Sequence, residues 1–537
     1  MDRRSFLGMS GAGVLGALAA GASPLNGQES APGQLGIPKS ENRGSLRKRP
    51  NIVLFMPDEM RADALACYGN TVTKTPNFDR LASEGTRFAN CHVQYPVCGA
   101  SRCSMLTGWP TSVRGHRSLY YFLRPDEPNL FRYLKQSGYD VFWFGKNDAL
   151  AAQSFYDSVT RWSNGFTRAR PTHSITPNIT SMLHGKGGDR RETLDYSEIR
   201  SAIEIIQRKE SDRPFCIFLP MQGAHPSYTA PADFYDMYSP DSVEKLIPPG
   251  LPKKPDYQKG IRHYYNLERM SDQDLRKVRA VYYGMVSYND WLMGEVLEAL
   301  EKNGRSNDTA VMLLSDHGDY AGDYGLVEKW PSALEDCLTH VPLIMKAPGG
   351  KGGHTVTGMT ELYDVMPTCL GLAGIPARHT HFARDLSPQL NGEAGDPNRA
   401  AFAEGGYNVY EPQCFEPLSV VGNEYTPKVK LQNELPETVS RSAMVRTQTH
   451  KLIWRSQGQK ELYDVATDPG LTRNLIDERS TAAVQADLQI RLMEHFINTS
   501  GVAPVDKDSR SSPSFYPTRT DIPSDGWQER ILDSQRS

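Results

Sequence analysis

Tyr95-Pro-Val-Cys-Gly-Ala-Ser-Arg-Cys-Ser-Met-Leu-Thr-Gly108 is the stretch on which the reading of this chain turns. Tyr95 precedes a proline and is held extended. Nothing between Gly99 and Leu106 breaks a helix, and Gly108 with Pro110 ends it. The pattern predicts a loop that delivers Cys98 to a helix N-terminus, where free amides and the dipole favour an anionic group. Arg102 follows one turn later on the same face. A guanidinium in that place suits a tetrahedral oxyanion. Cys103 is one position further round and is expected in packing. Taken alone, the stretch is read more readily as a buried small residue at Cys98 and a surface charge at Arg102.

Two apolar runs give it context. Pro50-Asn-Ile-Val-Leu-Phe-Met-Pro57 reads as a strand buried on both faces, ending at Asp58-Glu59. Thr309-Ala-Val-Met-Leu-Leu314 reads the same way and ends at Ser315-Asp-His-Gly-Asp319. In open α/β sheets the C-terminal strand edge is where ligands bind. One acidic strand end could merely cap a helix; two argue for a metal. Asp58, Glu59, Asp316 and His317 supply three carboxylates and an imidazole. Hard oxygen donors select Ca²⁺ or Mg²⁺, and the imidazole leaves Mn²⁺ open. Zinc fits poorly without a thiolate or histidine cluster.

Tyr139 to Phe144 is a further core strand, followed by Gly145-Lys-Asn-Asp148, and Phe215 to Leu219 another, followed by Gln222-Gly-Ala-His-Pro226. Lys146 and His225 therefore also fall at strand ends. Residues 227 to 270, rich in Tyr, Pro and Lys, are expected to cover the site. A long helix is predicted from Leu275 to Lys302. Near residue 400 the pattern changes to short strands at 401–404, 442–446, 451–454 and 461–464, then a helix from about 480 to 499.

The chain of 537 residues can build a large core plus a smaller unit. A net charge of −3 gives no global field toward nucleic acid. Arg3-Arg4 with Phe6-Leu7, then an apolar Gly/Ala run, predicts a twin-arginine-type export signal over residues 1–32, with a linker over 33–48. The run is too short and weakly apolar to span a membrane well. The expected location is periplasmic or extracellular, with no membrane span after signal removal. The eight cysteines show no CxxC spacing and are expected reduced. Residues 503–537 read as a polar tail.

Cys98, Ala100, Arg102, Thr107 and Gly108 resemble the sulfatase signature C-x-P/A-x-R followed by T-G, with Ala100 in the place of the commoner proline. Thr75-Pro-Asn-Phe-Asp-Arg-Leu-Ala82, Gly145-Lys146, His225-Pro226, Asp316-His317, Lys329 and Glu361 to Leu370 match further family motifs in the family's order. The resemblance covers roughly residues 50 to 500. It implies an α/β fold with a large alkaline-phosphatase-like mixed sheet flanked by helices, over 49–399. A smaller antiparallel sheet plus helix would follow over 400–502. It departs at Asp148, where the family has histidine, and at His340, where the family usually has arginine.

The resemblance also implies the chemistry. Cys98 would be oxidised to formylglycine by a maturation enzyme, and one hydroxyl of its hydrate would attack sulfur. Arg102, Lys146 and Lys329 would cancel sulfuryl charge, and His225 or Lys329 would protonate the leaving alcohol. Asp148 or Asp316 would take the proton that releases sulfate, or the step would use water. The substrate implied is a sulfated small molecule or glycan. Two other readings stay open: a phosphonate or phosphate diester hydrolase of the same superfamily, and a non-catalytic glycan-binding protein. The metal reading requires Cys98 within about 8 Å of the Asp58 and Asp316 carboxylates, the reach of one bridging ion.

Overall fold

The computed structural model describes residues 49–163, 180–208, 213–417 and 424–502. The expected export signal, the linker and the tail lie outside these residues. Strands in chain order are β1 (Asn51–Pro57), β2 (Thr86–His92), β3 (Asp140–Phe144), β4 (Arg161–Ser163), β5 (Leu183–Lys186), β6 (Phe215–Met221), β7 (Tyr228–Ala230), β8 (Thr309–Leu314), β9 (His340–Val341), β10 (Leu343–Lys346) and β11 (His354–Glu361). The main sheet runs β11-β2-β10-β8-β1-β6-β3-β4, with β9 beside β2; β5 and β7 pair separately.

From β8 to β4 every neighbouring pair is parallel, and β10 runs against both β8 and β2. The apolar runs are those of a sheet covered on both faces. Along β1, Val53 and Phe55 point into one core and Ile52, Leu54 and Met56 into the other. One core is closed by the helix Asp272–Lys302, the other by the helices Leu130–Gln136 and Val365–Ala373. The long helix starts three residues before the expected Leu275, because Ser271 and Asp274 form a capping box. Within it Asp290 accepts the amides of Asn77 and Phe78 and so caps the helix Pro76–Glu84.

The 400–502 segment forms an antiparallel sheet of β12 (Ala401–Gly405), β13 (Ser442–Arg446), β14 (His450–Arg455) and β15 (Glu461–Asp464). The helix Ala482–Thr499 packs on one face of it through Leu488 and Leu492. The other face, with Met444, Ile453 and Tyr463, meets Leu334. Residues 227–270 form short elements, in which Tyr228 bonds Asp319, and Tyr257 and Gln258 bond the buried Glu335. All eight cysteines are free, and seven are buried. No helix among the described residues is long and apolar enough to cross a membrane.

Candidate active site

Parallel strands end at one edge, so residues far apart in sequence meet there. β1 delivers Asp58 and Glu59, β8 delivers Asp316 and His317, β3 delivers Lys146 and β6 delivers His225. Gly145 lets β3 close on β6: its φ is +131°, and a Cβ there would stand 2.4 Å from the Pro220 carbonyl oxygen. The contact aligns the Lys146 amide with that oxygen at 2.9 Å.

Cys98 enters from the helix Cys98–Thr107, which begins at Cys98 and ends on Gly108 in the left-handed region. All ten residues are buried, so the helix lies inside the protein. Ser101 anchors it by donating to the Asp316 carbonyl at 2.6 Å. The Cys98 Sγ lies 3.4 Å from Asp58 Oδ1, 3.2 Å from His317 Nε2 and 3.6 Å from Lys146 Nζ. Donor atoms of Asp58, Cys98, Asp316 and His317 all lie within 4.8 Å of one another, as do those of Asp58, Glu59, Cys98 and His225. This is well inside the span one cation requires. Burial, then the Asp58 charge, pushes the Cys98 thiol well above its usual range. An unmodified thiol so placed is a poor nucleophile at neutral pH.

Arg102 is fully buried. Its Nε donates to Asp316 Oδ2 at 2.8 Å, and its Nη2 sits 3.0 Å from Asp58 Oδ2. The guanidinium therefore bridges the carboxylates from the two strand ends. Burial opposes charge on Asp58, yet Lys146 and Arg102 hold its carboxyl well below the ordinary range. Asp316 Oδ1 accepts the amides of Glu59 and His317.

Lys146 Nζ contacts Asp58 Oδ2 at 2.6 Å and Asp148 Oδ2 at 2.9 Å. Asp148 thus holds the lysine. Lys329 contacts Glu59, Glu328 at 2.9 Å and His225 Nε2 at 3.3 Å. Burial opposes its charge, but Cys98, Glu328 and Glu59 keep its ammonium well above the usual lysine range. His225 Nδ1 faces the Pro226 carbonyl at 2.5 Å. A carbonyl only accepts, so Nδ1 carries the hydrogen and Nε2 is left as an acceptor for Lys329. Burial, then Lys329, lowers the His225 pKa well below its ordinary value, so the ring is neutral.

The residues fit a divalent cation on their own chemistry. Glu59 Oε2 is buried and without a hydrogen-bond partner. Burial pushes the Glu59 carboxyl up against the pull of Lys329, and a cation facing that oxygen would reverse the rise. His317 Nδ1 donates to the Gly318 carbonyl at 2.9 Å, which leaves Nε2 free as a ligand.

Several residues of the site escape sequence reading. Tyr282 is one: it donates to the Glu59 carbonyl at 2.8 Å, with Glu59 held in the left-handed region at φ 61°. Tyr425, 200 residues from His225, places its hydroxyl 3.3 Å from Nδ1 and donates to Pro226 O at 3.0 Å. Glu328 and Lys428 form a buried pair beside Lys329. Their separation hides them; only Glu328, as an acid next to Lys329, carries a local signal.

Opposite charges concentrated at one sheet edge around a buried helix start mark a hydrolase of anionic esters. A family model described as Sulfatase matches residues 50–375. The chain belongs to the sulfatase family, and its fold is that of the alkaline-phosphatase-like hydrolases. An arylsulfatase of Clostridium perfringens is 25% identical over 472 residues, covering 80% of this chain and 90% of that protein. An N-acetylglucosamine-6-O-sulfatase of Bacteroides thetaiotaomicron is 24% identical over 512 residues, covering 83% and 86%. The crystal structure of a phosphonate monoester hydrolase of Agrobacterium radiobacter superposes with a TM-score of 0.68 at 21% identity, covering 84% of this chain and 96% of that one. That likeness is one of fold.

Proposed function

We propose that this sulfuric ester hydrolase acts on sulfated sugars, with position 98 as its nucleophile after oxidation of Cys98 to formylglycine. The observation that carries the reading is the placement of the Cys98 Sγ among Asp58, Asp316 and His317, with Lys146 at 3.6 Å. The Bacteroides thetaiotaomicron relative is an N-acetylglucosamine-6-O-sulfatase, and this chain aligns over most of it. A formylglycine-generating enzyme is the partner this implies, and export through residues 1–32 belongs to the same reading.

Asp58, Glu59, Asp316, His317 and position 98 would hold a divalent cation, Ca²⁺ first and Mg²⁺ or Mn²⁺ otherwise, which supplies positive charge that lowers the pKa of an attacking hydroxyl. Formylglycine, once formed, supplies that hydroxyl as a hydrated aldehyde. The other groups are the chain's own. Lys146 takes a sulfuryl oxygen, and Asp148 fixes the direction of its Nζ. Arg102 holds the Asp58 and Asp316 carboxylates in place. Of the two candidate acids, Lys329 is favoured: its Nζ bears the hydrogens, while the Nε2 of neutral His225 accepts one of them. His225 thus holds the Lys329 ammonium toward the leaving oxygen. Asp316 is engaged by Arg102 and two amides and Asp148 by Lys146, so the proton at sulfate release goes to water.

The test joins mass spectrometry of the peptide holding position 98 with rates on an aryl sulfate, 6-O-sulfated glucosamines and an aryl phosphodiester. The reading expects the aldehyde in place of the thiol and the fastest turnover on a sulfated sugar. A phosphodiester turned over faster than every sulfate would give the assignment to the phosphonate and phosphate branch.

A further inference from the structure

Glu328 and Lys329 are chain neighbours, and Glu328 sits in the left-handed region at φ 62°. Its backbone is held independently of its side chain. The Glu328 amide donates to the Tyr228 hydroxyl at 2.8 Å, and its carbonyl accepts the Tyr320 amide at 3.2 Å. The side chain meets Lys428 from the helix Thr426–Glu434, at 3.0 Å. Lys428 is 2% exposed and lies 3.5 Å from Glu416, to which Gln432 donates at 3.1 Å. Buried charges therefore alternate in a row: Glu416, Lys428, Glu328, Lys329, Glu59.

Lys329 contacts two carboxylates, Glu59, which lies beside Cys98, and Glu328. A buried carboxylate left with one cation binds it as tightly as geometry allows. Lys428 supplies Glu328 with a second cation, so Glu328 does not draw the Lys329 ammonium away from Glu59 and His225. The same helix start brings Tyr425 to the Pro226 carbonyl beside His225.

We propose that Lys428 is a positioning residue for proton donation by Lys329: by sharing Glu328 it keeps the Lys329 Nζ at the leaving-group side of the site. This rests on the reading of Lys329 as the acid. The alternative is a buried ion pair that only fastens the 426–434 helix to the large sheet.

The two differ in how the loss depends on the leaving group. A misplaced acid matters little for an alcohol that leaves easily and much for one that needs its proton. Wild type, K428M and K428R, each confirmed by mass spectrometry to carry the aldehyde at position 98, are compared on 4-nitrophenyl sulfate and on phenyl sulfate. For K428M the expected loss in kcat is about threefold on the nitrophenyl ester and about 30-fold on the phenyl ester, with KM within about twofold. K428R is expected to recover most of the difference. An equal loss on both esters, a loss confined to KM, or no loss overturns the proposal.

If K428M does not fold, K428Q carries the same comparison, because it removes the charge and keeps a polar group for Glu328. The same shift of about tenfold against phenyl sulfate is expected, and an equal loss on both esters overturns the proposal. A mature wild type inactive on every sulfate refutes both this role and the function it rests on. A flat K428M profile in an active wild type refutes the positioning role alone.

Discussion

Cys98 Sγ lies 3.2 Å from the Nε2 of His317, a residue 219 positions further along the chain. The imidazole is fixed from behind by the Gly318 carbonyl at 2.9 Å, so its free lone pair faces the helix start that carries Cys98. A tautomer set in this way is the arrangement of a metal ligand. Added Ca²⁺ or Mg²⁺ should therefore raise the thermal midpoint of the wild type. The gain is about 2.7 kcal/mol when the cation is at 100 times its dissociation constant. H317A should lose most of that gain, and calorimetry with and without EDTA measures both. An unchanged midpoint in wild type would count against a cation at these residues.

Arg102 neutralises two buried carboxylates at once. R102A leaves Asp58 and Asp316 facing each other, with Lys146 as the nearest ammonium to Asp58. The expected loss is about 3–5 kcal/mol in denaturant unfolding without divalent cations. Excess Ca²⁺ should return part of it, since the cation replaces the missing charge. A loss under about 1 kcal/mol would mean that solvent already reaches the pair.

The Asp148 carboxylate is spent on Lys146 at 2.9 Å. D148N keeps the shape and weakens the hold on that lysine. We expect KM for an aryl sulfate to rise about threefold, the scale of a partly exposed ion pair, with kcat nearly unchanged. A fall in kcat of about 100-fold or more would instead make Asp148 the base that releases sulfate.

His379 ties the far end of the helix Cys98–Thr107. Its Nε2 donates to the Thr107 carbonyl at 2.7 Å, and its Nδ1 faces the Tyr133 hydroxyl at 2.8 Å, which already accepts the Arg378 amide. The ring thus receives the Tyr133 hydrogen and is neutral. Burial holds its pKa down to about 4. A histidine lowered on folding contributes stability that is full above its unfolded value near 6.5 and is lost as pH falls toward 4. Wild type should lose about 2 kcal/mol between pH 6.5 and 4.5 through this group alone, and H379Q should show a flatter pH profile by that amount. Equal slopes in the two proteins would show that the ring is not neutral in the fold.

Much of the site could be read before folding. The apolar runs 50–57 and 309–314 announce strands by length and β-branched or aromatic content, and the acids beyond them mark the strand tips. Helix start and stop around Cys98 follow from proline and glycine alone. The apolar pattern alone starts the long helix at Leu275, while Ser271 and Asp274 carry the capping-box signal that sets its true start at Asp272. Tyr282, Tyr425 and Lys428 have no local mark at all. Tyr282 is one residue of a helix whose faces are nearly all buried. Tyr425 and Lys428 come from a short helix 100 to 200 positions beyond their partners.

Local order was thus set by the residues themselves: which runs are strands, where each ends, and that acids, lysine and histidine sit just past those ends. Hydrophobic period and turn chemistry act over a few neighbours and need no partner. The pairing of those ends was decided only in three dimensions. Parallel register puts Asp58, Lys146, His225 and Asp316 on one edge, and exclusion of water makes every charge there find an opposite one. That requirement places Arg102 on two carboxylates, Asp148 on Lys146 and Lys428 on Glu328, because an unpaired buried charge costs several kcal/mol.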